Sequence, residues 1–472
     1  MSTTVGKDMS YEAVLSRKGE IIKASAGLNF AEFERGALAF DYEGMLKSTG
    51  YDIDAVRNVQ QDVSVGNTPI LELRNITALA RAFAPPGKGA RIFIKDEAAN
   101  PSGSFKDRRA AMAVYRAKKA GYKGVIAATS GNFGAAVASQ AAVRGLKCII
   151  VQECYDSRMV GQPEIIEKAR KCEAFGAEVV QTSVGPELFY QSLRLLEETG
   201  YFSASLYSPF GIVGMETLGF ELANQMMQRT GKFPDAVVCT NAGGGNVTGT
   251  ARGLIKAGCK TKVIGASVNL AGLHMASDTA FNRKSFTTGH TGFGIPFASW
   301  PDRSDVPRSA ARPLRYLDRY VTMNQGEVFY MTELLASLEG LERGPAGNTS
   351  LSAAFVIAQE MDADQTIIVQ ETEYTGAGKH IQPQLSFALS NGIDLFFGDP
   401  KDEIPGKNII LPKTPGLMHV SEVDLDHLRK SLVSNAVKDC GKTIGDEDIK
   451  FLQEETRLEA EKVSKIISEV LR

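Results

Sequence analysis

Short runs that are apolar at nearly every position alternate with longer runs of helical period through much of the chain. RIFIK (91–95) precedes the helical stretch 107–122, GVIAAT (124–129) precedes 132–145, and KCIIVQ (147–152) precedes 163–176. AEVVQT (177–182) precedes 186–200, and DAVVCT (235–240) leads through 246–258 into KVIGASV (262–268). Strands without polar alternation are buried on both faces, and the helices between them serve as crossovers. The pattern predicts an α/β fold with mainly parallel sheets and flanking helices. Residues 271–320 break it, being rich in Gly, Pro, Ser and Arg and carrying Trp300; they read as a long functional loop or lid. Beyond 421 the chain turns polar, and Ile449, Leu452, Val463, Ile466, Ile467 and Val470 predict an apolar stripe on a terminal helix.

Composition narrows the function. The 472 residues carry 53 Lys and Arg against 55 Asp and Glu, a net charge of −2, which argues against a nucleic-acid coat. No apolar run approaches the length of a membrane helix, and the first twenty residues lack the apolar core of a signal peptide, so a cytoplasmic location is expected. Six cysteines are too few for a disulfide scaffold; Cys148 and Cys239 sit in apolar runs. With no C-x-x-C and five scattered histidines, no metal is expected.

Open parallel sheets bind ligands at the carboxyl ends of their strands. Three loops there carry chemistry. In AANPSGSFKDRRA (98–110) small residues surround Lys106 at a helix start. Burial and the positive end of the helix dipole both oppose an ammonium, and a neutral amine suits covalent capture of an aldehyde. The plainer reading is a helix capped by Ser102 or Ser104 with Lys106 solvated. In ATSGNFG (128–134), Thr129, Ser130, Gly131 and Asn132 open a helix whose free N–H groups suit a carboxylate, or else merely cap it. In TNAGGGNVTG (240–249), Gly243, Gly244 and Gly245 let the backbone approach a phosphate; Thr248 breaks the dinucleotide fingerprint, and Thr250 follows Gly249 where a P-loop needs lysine.

The order of these loops resembles the fold-type II (tryptophan synthase β-like) family of pyridoxal-phosphate enzymes, threonine synthase among them. NPSGSFKDR (100–108) is similar to that family's cofactor-lysine motif, TSGN (129–132) to its substrate-carboxylate loop, AGGGNVT (242–248) to its phosphate cradle, and TGAG (375–378) to its T-G-x-G segment. The resemblance implies two domains, a large one of 1–112 plus 213–472 and a smaller mobile one of 113–212. It implies pyridoxal 5'-phosphate held by Lys106, with Asn132 on the ring hydroxyl. Gly243, Gly244, Gly245, Asn246 and Thr248 would surround the phosphate, Thr375 would face the ring nitrogen, and Thr129, Ser130 and Gly131 would take the substrate. Ser350 and Ser352 are an alternative for the ring nitrogen, with helix capping preferred. After T-G-x-G the chain reads Lys379, His380, Ile381 where threonine synthases continue Leu-Lys-Asp. Segments 40–73 and 369–401 are instead similar to a thiolase branch that cleaves 2-amino-4-oxopentanoate with coenzyme A to acetyl-CoA and D-alanine in ornithine breakdown. That likeness implies a small α subunit as partner and a homodimer of this chain within the complex. A replacement enzyme of the threonine synthase or cysteate synthase kind, and a non-catalytic binding relative, are the alternatives. Arg308, Arg312, Arg315 and Arg319 offer coenzyme A four guanidinium groups, or else a basic face paired with carboxylates.

Overall fold

The computed structural model describes residues 7–129, 131–155, 159–161, 163–183, 187–270, 306–374 and 381–471. Ser130, Trp300, Thr375, His380 and most of segment 271–320 therefore lie outside the described residues. A seven-stranded sheet runs in the spatial order Ile70–Glu72, Arg91–Asp96, Thr366–Glu371, Ala236–Thr240, Lys262–Val268, Arg319–Met323, Ser421–Glu422. The five central strands are parallel, and the two edge strands are antiparallel. A four-stranded parallel sheet, Glu178–Ser183, Lys147–Tyr155, Gly124–Thr129, Phe202–Ser203, takes all its strands from between residues 124 and 203. Phe396 and Phe397 lie on a separate parallel pair, Asp394–Gly398 with Asn408–Pro412.

Each apolar run named above forms a strand, and each accompanying helical run forms a helix, with ends shifted by a few residues. Strand Arg319–Met323 begins inside the segment read as a loop. The long helix Pro209–Thr230 escapes the apolar pattern because its first half, 209–219, is buried on every side and shows no polar stripe. It lies backbone to backbone against helix Gly245–Lys256. A Cβ on Gly219 would stand 2.0 Å from the Thr250 carbonyl oxygen, and one on Gly253 would stand 2.0 Å from that of Glu216. This contact fixes the helix whose first turn is the triple-glycine loop. The apolar stripe at the C-terminus spans two helices, Asp446–Thr456 and Ala460–Val470, because Arg457 adopts a left-handed conformation (φ 57°) between them.

Helix Lys106–Lys119 is anchored from behind by charge. The Arg108 guanidinium, fully buried, donates to both carboxylate oxygens of Glu97 (2.7 and 2.9 Å) and both of Glu221 (2.8 and 3.0 Å). Lys95 Nζ joins the cluster at 3.2 Å from Glu221 and 2.6 Å from the Thr68 carbonyl. Two forked pairs on one guanidinium fix its orientation, and their proximity holds Glu97 and Glu221 below the usual carboxylate range. Removing one member of a buried charge cluster leaves the rest uncompensated. Arg108→Met is therefore expected to cost about 3–5 kcal/mol of unfolding free energy, read by urea denaturation. A loss under about 1 kcal/mol would mean that the cluster does not hold the helix.

Candidate active site

Three neighbouring parallel strands end on one edge of the large sheet, and each feeds a loop into one cavity. Strand Arg91–Asp96 leads to the lysine loop, Ala236–Thr240 to the triple-glycine loop, and Thr366–Glu371 to Thr372 and Glu373. From the smaller sheet, strand Gly124–Thr129 brings Thr129, Gly131 and Asn132 to the same cavity. Backbone bonds stitch two of these loops together: Phe105 N donates to Thr372 O (3.0 Å) and Tyr374 N to Gly103 O (2.8 Å).

Lys106 is the first residue of its helix, with Phe105 at the cap position and no side-chain cap. Ser102 and Ser104, the expected caps, keep buried hydroxyls without a hydrogen-bond partner. Lys106 Nζ lies 4.5 Å from the Phe105 ring centre and lines the cavity. Burial first, then the charge of Arg109, bring its pKa down to about 7, against the opposing pull of Glu373.

The glycine loop lines the same cavity. Gly244 occupies the left-handed region (φ 79°), where a Cβ would stand 2.6 Å from the Pro313 ring. Gly245 opens helix Gly245–Lys256, whose first turn carries N–H groups without intrahelical partners. Gly243 and Asn246 line the cavity. Asn246 Nδ2 donates to Thr240 O (3.1 Å), and its Oδ1 is buried without a partner. Thr248 does not line the cavity. Its hydroxyl donates to Gly244 O (2.8 Å) and accepts from Arg312 N (2.8 Å), so it braces the loop from behind.

Arg109 escaped the sequence reading because a second arginine after Lys-Asp-Arg looks like surface charge on a helix. Its side chain instead lies 3% exposed against the glycine loop, so close that a Cβ on Gly245 would be 2.8 Å from both terminal nitrogens. Nε and Nη2 have no hydrogen-bond partner, and burial pulls the pKa down to about 10. A buried guanidinium with idle donors beside a helix N-terminus and glycines that a side chain would obstruct fits a phosphate monoester. Lys106, lining the same cavity, fits its aldehyde. The residues present thus suit pyridoxal 5'-phosphate.

Asn132 reaches the cavity, but its amide donates to Glu373 Oε2. Thr129 Oγ1 accepts from Gly131 N (3.0 Å) and so shapes the loop. Glu373 and Lys168 are cavity-lining groups that no motif announced. Ser350 and Ser352 lie inside helix Pro345–Ala358 rather than at its cap, which corrects the preferred capping reading. Ser350 Oγ sits 2.7 Å from Thr240 Oγ1, and Ser352 Oγ donates to Asn348 O. Among the described residues no cluster of His, Cys, Asp or Glu could hold a metal ion, and no cysteine lines the cavity.

The arginine series is spent on structure. Arg312 and Arg315 pair with Glu455, Arg319 pairs with Glu360 and Glu422, and Arg308 donates to Leu38 O.

A neutralisable lysine at a helix start and a glycine loop opening a second helix line one cavity at the carboxyl ends of parallel strands, an arrangement that suits pyridoxal phosphate. The chain belongs to the family described as Pyridoxal-phosphate dependent enzyme, matched over residues 62–373. It is 69% identical over 467 residues to the 2-amino-4-ketopentanoate thiolase beta subunit of Acetoanaerobium sticklandii, covering 99% of this chain and 100% of that one. It is 62% identical over 468 residues to a protein of the same name from an unknown prokaryotic organism, covering 99% of each. Among solved structures, O-ureido-L-serine synthase superposes with a TM-score of 0.53 at 22% identity, covering 71% of this chain and 95% of that one; the likeness is one of fold.

Two outcomes test the site. In the cofactor-free chain, acylation of Lys106 followed by peptide mapping should be half-maximal near pH 7, because a lowered pKa leaves the amine neutral above it; a midpoint above about pH 9, nearer the ordinary lysine value, refutes the assignment. Gly245→Ala, by displacing Arg109, should weaken cofactor binding about tenfold in equilibrium dialysis, the worth of one charge-assisted hydrogen bond. Unaltered binding would separate Arg109 from the phosphate.

Proposed function

We propose that this chain is the catalytic β subunit of a pyridoxal-phosphate-dependent thiolase. It cleaves 2-amino-4-oxopentanoate with coenzyme A to acetyl-CoA and alanine, D-alanine by family resemblance, in ornithine degradation. The observation that carries this reading is the 69% identity, over 99% of this chain, to a thiolase beta subunit, joined to a cavity that Lys106 and the glycine loop both line. When bound, the cofactor supplies an electron sink for the bonds at the substrate's α carbon. Lys106 would hold the cofactor's aldehyde carbon, and its amine, whose proton affinity burial lowers, would take and return the α proton. The N–H groups of Gly243, Gly244, Gly245 and Asn246, with Arg109, bind the phosphate. In this reading Gly131, Ser130 and Thr129 would receive the substrate carboxylate, Asn132 would hold the ring hydroxyl, and Thr375 would serve the ring nitrogen.

The unit 113–212 is the smaller, mobile domain in this reading, against 1–112 plus 213–472. Asn132 and Lys168 belong to it, so its closure brings them onto the substrate and excludes water. The small α subunit completes the channel that admits the coenzyme A thiol, this chain pairs as a homodimer within that complex, and the enzyme works in the cytoplasm. No helix among the described residues is long and apolar enough to cross a membrane.

The test mixes purified chain, 2-amino-4-oxopentanoate and coenzyme A, with and without the small subunit. Acetyl-CoA and alanine should form in equal amounts, and only when both subunits are present. If neither mixture yields them, while phosphohomoserine gives threonine or phosphoserine with sulfite gives cysteate, the chain is a replacement enzyme instead.

A further inference from the structure

Thiolytic cleavage moves two protons that a single amine cannot handle together. One leaves and returns at the α carbon, which is the work given to Lys106. The other leaves the thiol, and one must arrive at C3 when the C3–C4 bond breaks. A second proton-carrying group therefore has to border the cavity.

The titratable side chains lining it are Lys106, Arg109, Lys168, Tyr207 and Glu373. Arg109 stays protonated and lies against the glycine loop. Tyr207 lies on that side too, its hydroxyl 3.6 Å from where a Cβ on Gly243 would be. Lys168 is buried and held as an ammonium by its ion pair with Glu164, one turn back on the same helix. Glu373 differs from all of these. It is 3% exposed, Oε2 accepts from Asn132 Nδ2, and Oε1 is buried with no hydrogen-bond partner. Its loop is bonded to the lysine loop through Phe105 and Gly103, so the carboxyl and Lys106 are held on one frame. The groups acting on it are Lys168, Glu164, Lys171, Asn132 and Lys106, together with Glu371 on its own strand end. Burial, with Glu164, raises its pKa against the pull of Lys168, Lys106 and the Asn132 amide.

We propose that Glu373 is the acid–base residue that carries the proton from the coenzyme A thiol to C3 of the substrate. The Glu373 carboxylate takes the S–H proton as sulfur bonds to the C4 carbonyl carbon. The C3–C4 bond then breaks with its electron pair left on C3, and the Glu373 carboxylic acid returns the proton there. One S–C bond and one C–H bond form, one S–H bond and one C–C bond break, and no further reactant is needed. The inference rests on the thiolase reading.

The test uses the complete two-subunit enzyme and its Glu373→Gln and Glu373→Asp variants, with acetyl-CoA formation, cofactor absorption and exchange of the alanine α hydrogen in D2O all measured. Glu373→Gln should bind cofactor and still exchange the α hydrogen, yet lose acetyl-CoA formation by about 100-fold or more, and Glu373→Asp should recover part of the loss. The acidic limb of the wild-type cleavage profile should lie above the ordinary carboxylate range and vanish in Glu373→Gln. Cleavage by Glu373→Gln within about threefold of wild type overturns the proposal, since an acid–base group contributes far more. Loss of cofactor and exchange together also overturns it, in favour of a structural role. If the wild-type complex makes no acetyl-CoA, the thiolase reading itself fails, a result distinct from either.

Discussion

The fork of Arg108 between Glu97 and Glu221 is the interaction on which the rest of the site depends. A guanidinium without solvent must be matched on every side, and here two carboxylates do so with forked geometry. The match sets the rotation of helix Lys106–Lys119 about its axis. Once Arg108 faces Glu97 and Glu221, its sequence neighbours two back and one ahead, Lys106 and Arg109, both line the cavity. Asp107 accepts the Ser102 N–H (2.7 Å), and burial lifts its carboxyl to about 7, so the first turn is braced without adding a full negative charge. Four consecutive charged residues are thereby given separate tasks by one buried cluster.

The electrostatics of the cavity follow. Arg109 and Lys168 keep positive charge near Lys106, and each disfavours a further ammonium there. The same charges suit an anionic ligand in the cavity. One arrangement thus does two things: it attracts the anion and holds the amine in its reactive form. The price is several idle polar atoms, on Arg109, Asn246 and Glu373, which is where a protein tolerates unsatisfied groups for the sake of a ligand.

Away from the cavity, similar charges merely fasten. Arg312 lies 4.5 Å above the Tyr42 ring and pairs with Glu455, binding the N-terminal section and the C-terminal helices to the loop behind Thr248. Its neighbour Arg315 shares Glu455 with it, and Arg319 pairs with Glu422. Guanidinium groups recurring along a sequence reveal nothing of their partners, since those carboxylates lie 41 to 143 residues away in the chain.

Much of this protein was legible in its sequence because the signals are local. Uninterrupted apolar runs define doubly buried strands wherever they occur, and the lysine, SGN and triple-glycine loops announce themselves because backbone close to a ligand requires small residues at fixed positions. Strand order, the close glycine contact between helices Pro209–Thr230 and Gly245–Lys256, and the break at Arg457 were not legible, for each depends on which distant surfaces meet. Arg109, Lys168 and Glu373 are the sharpest case. By residue type and spacing they are ordinary charges, and only tertiary structure removes their water and turns them into a cavity. The sequence by itself determined the fold class and the motif lysine, whereas packing alone decided which charges became chemistry, because burial is a property of the assembled chain and not of any segment of it.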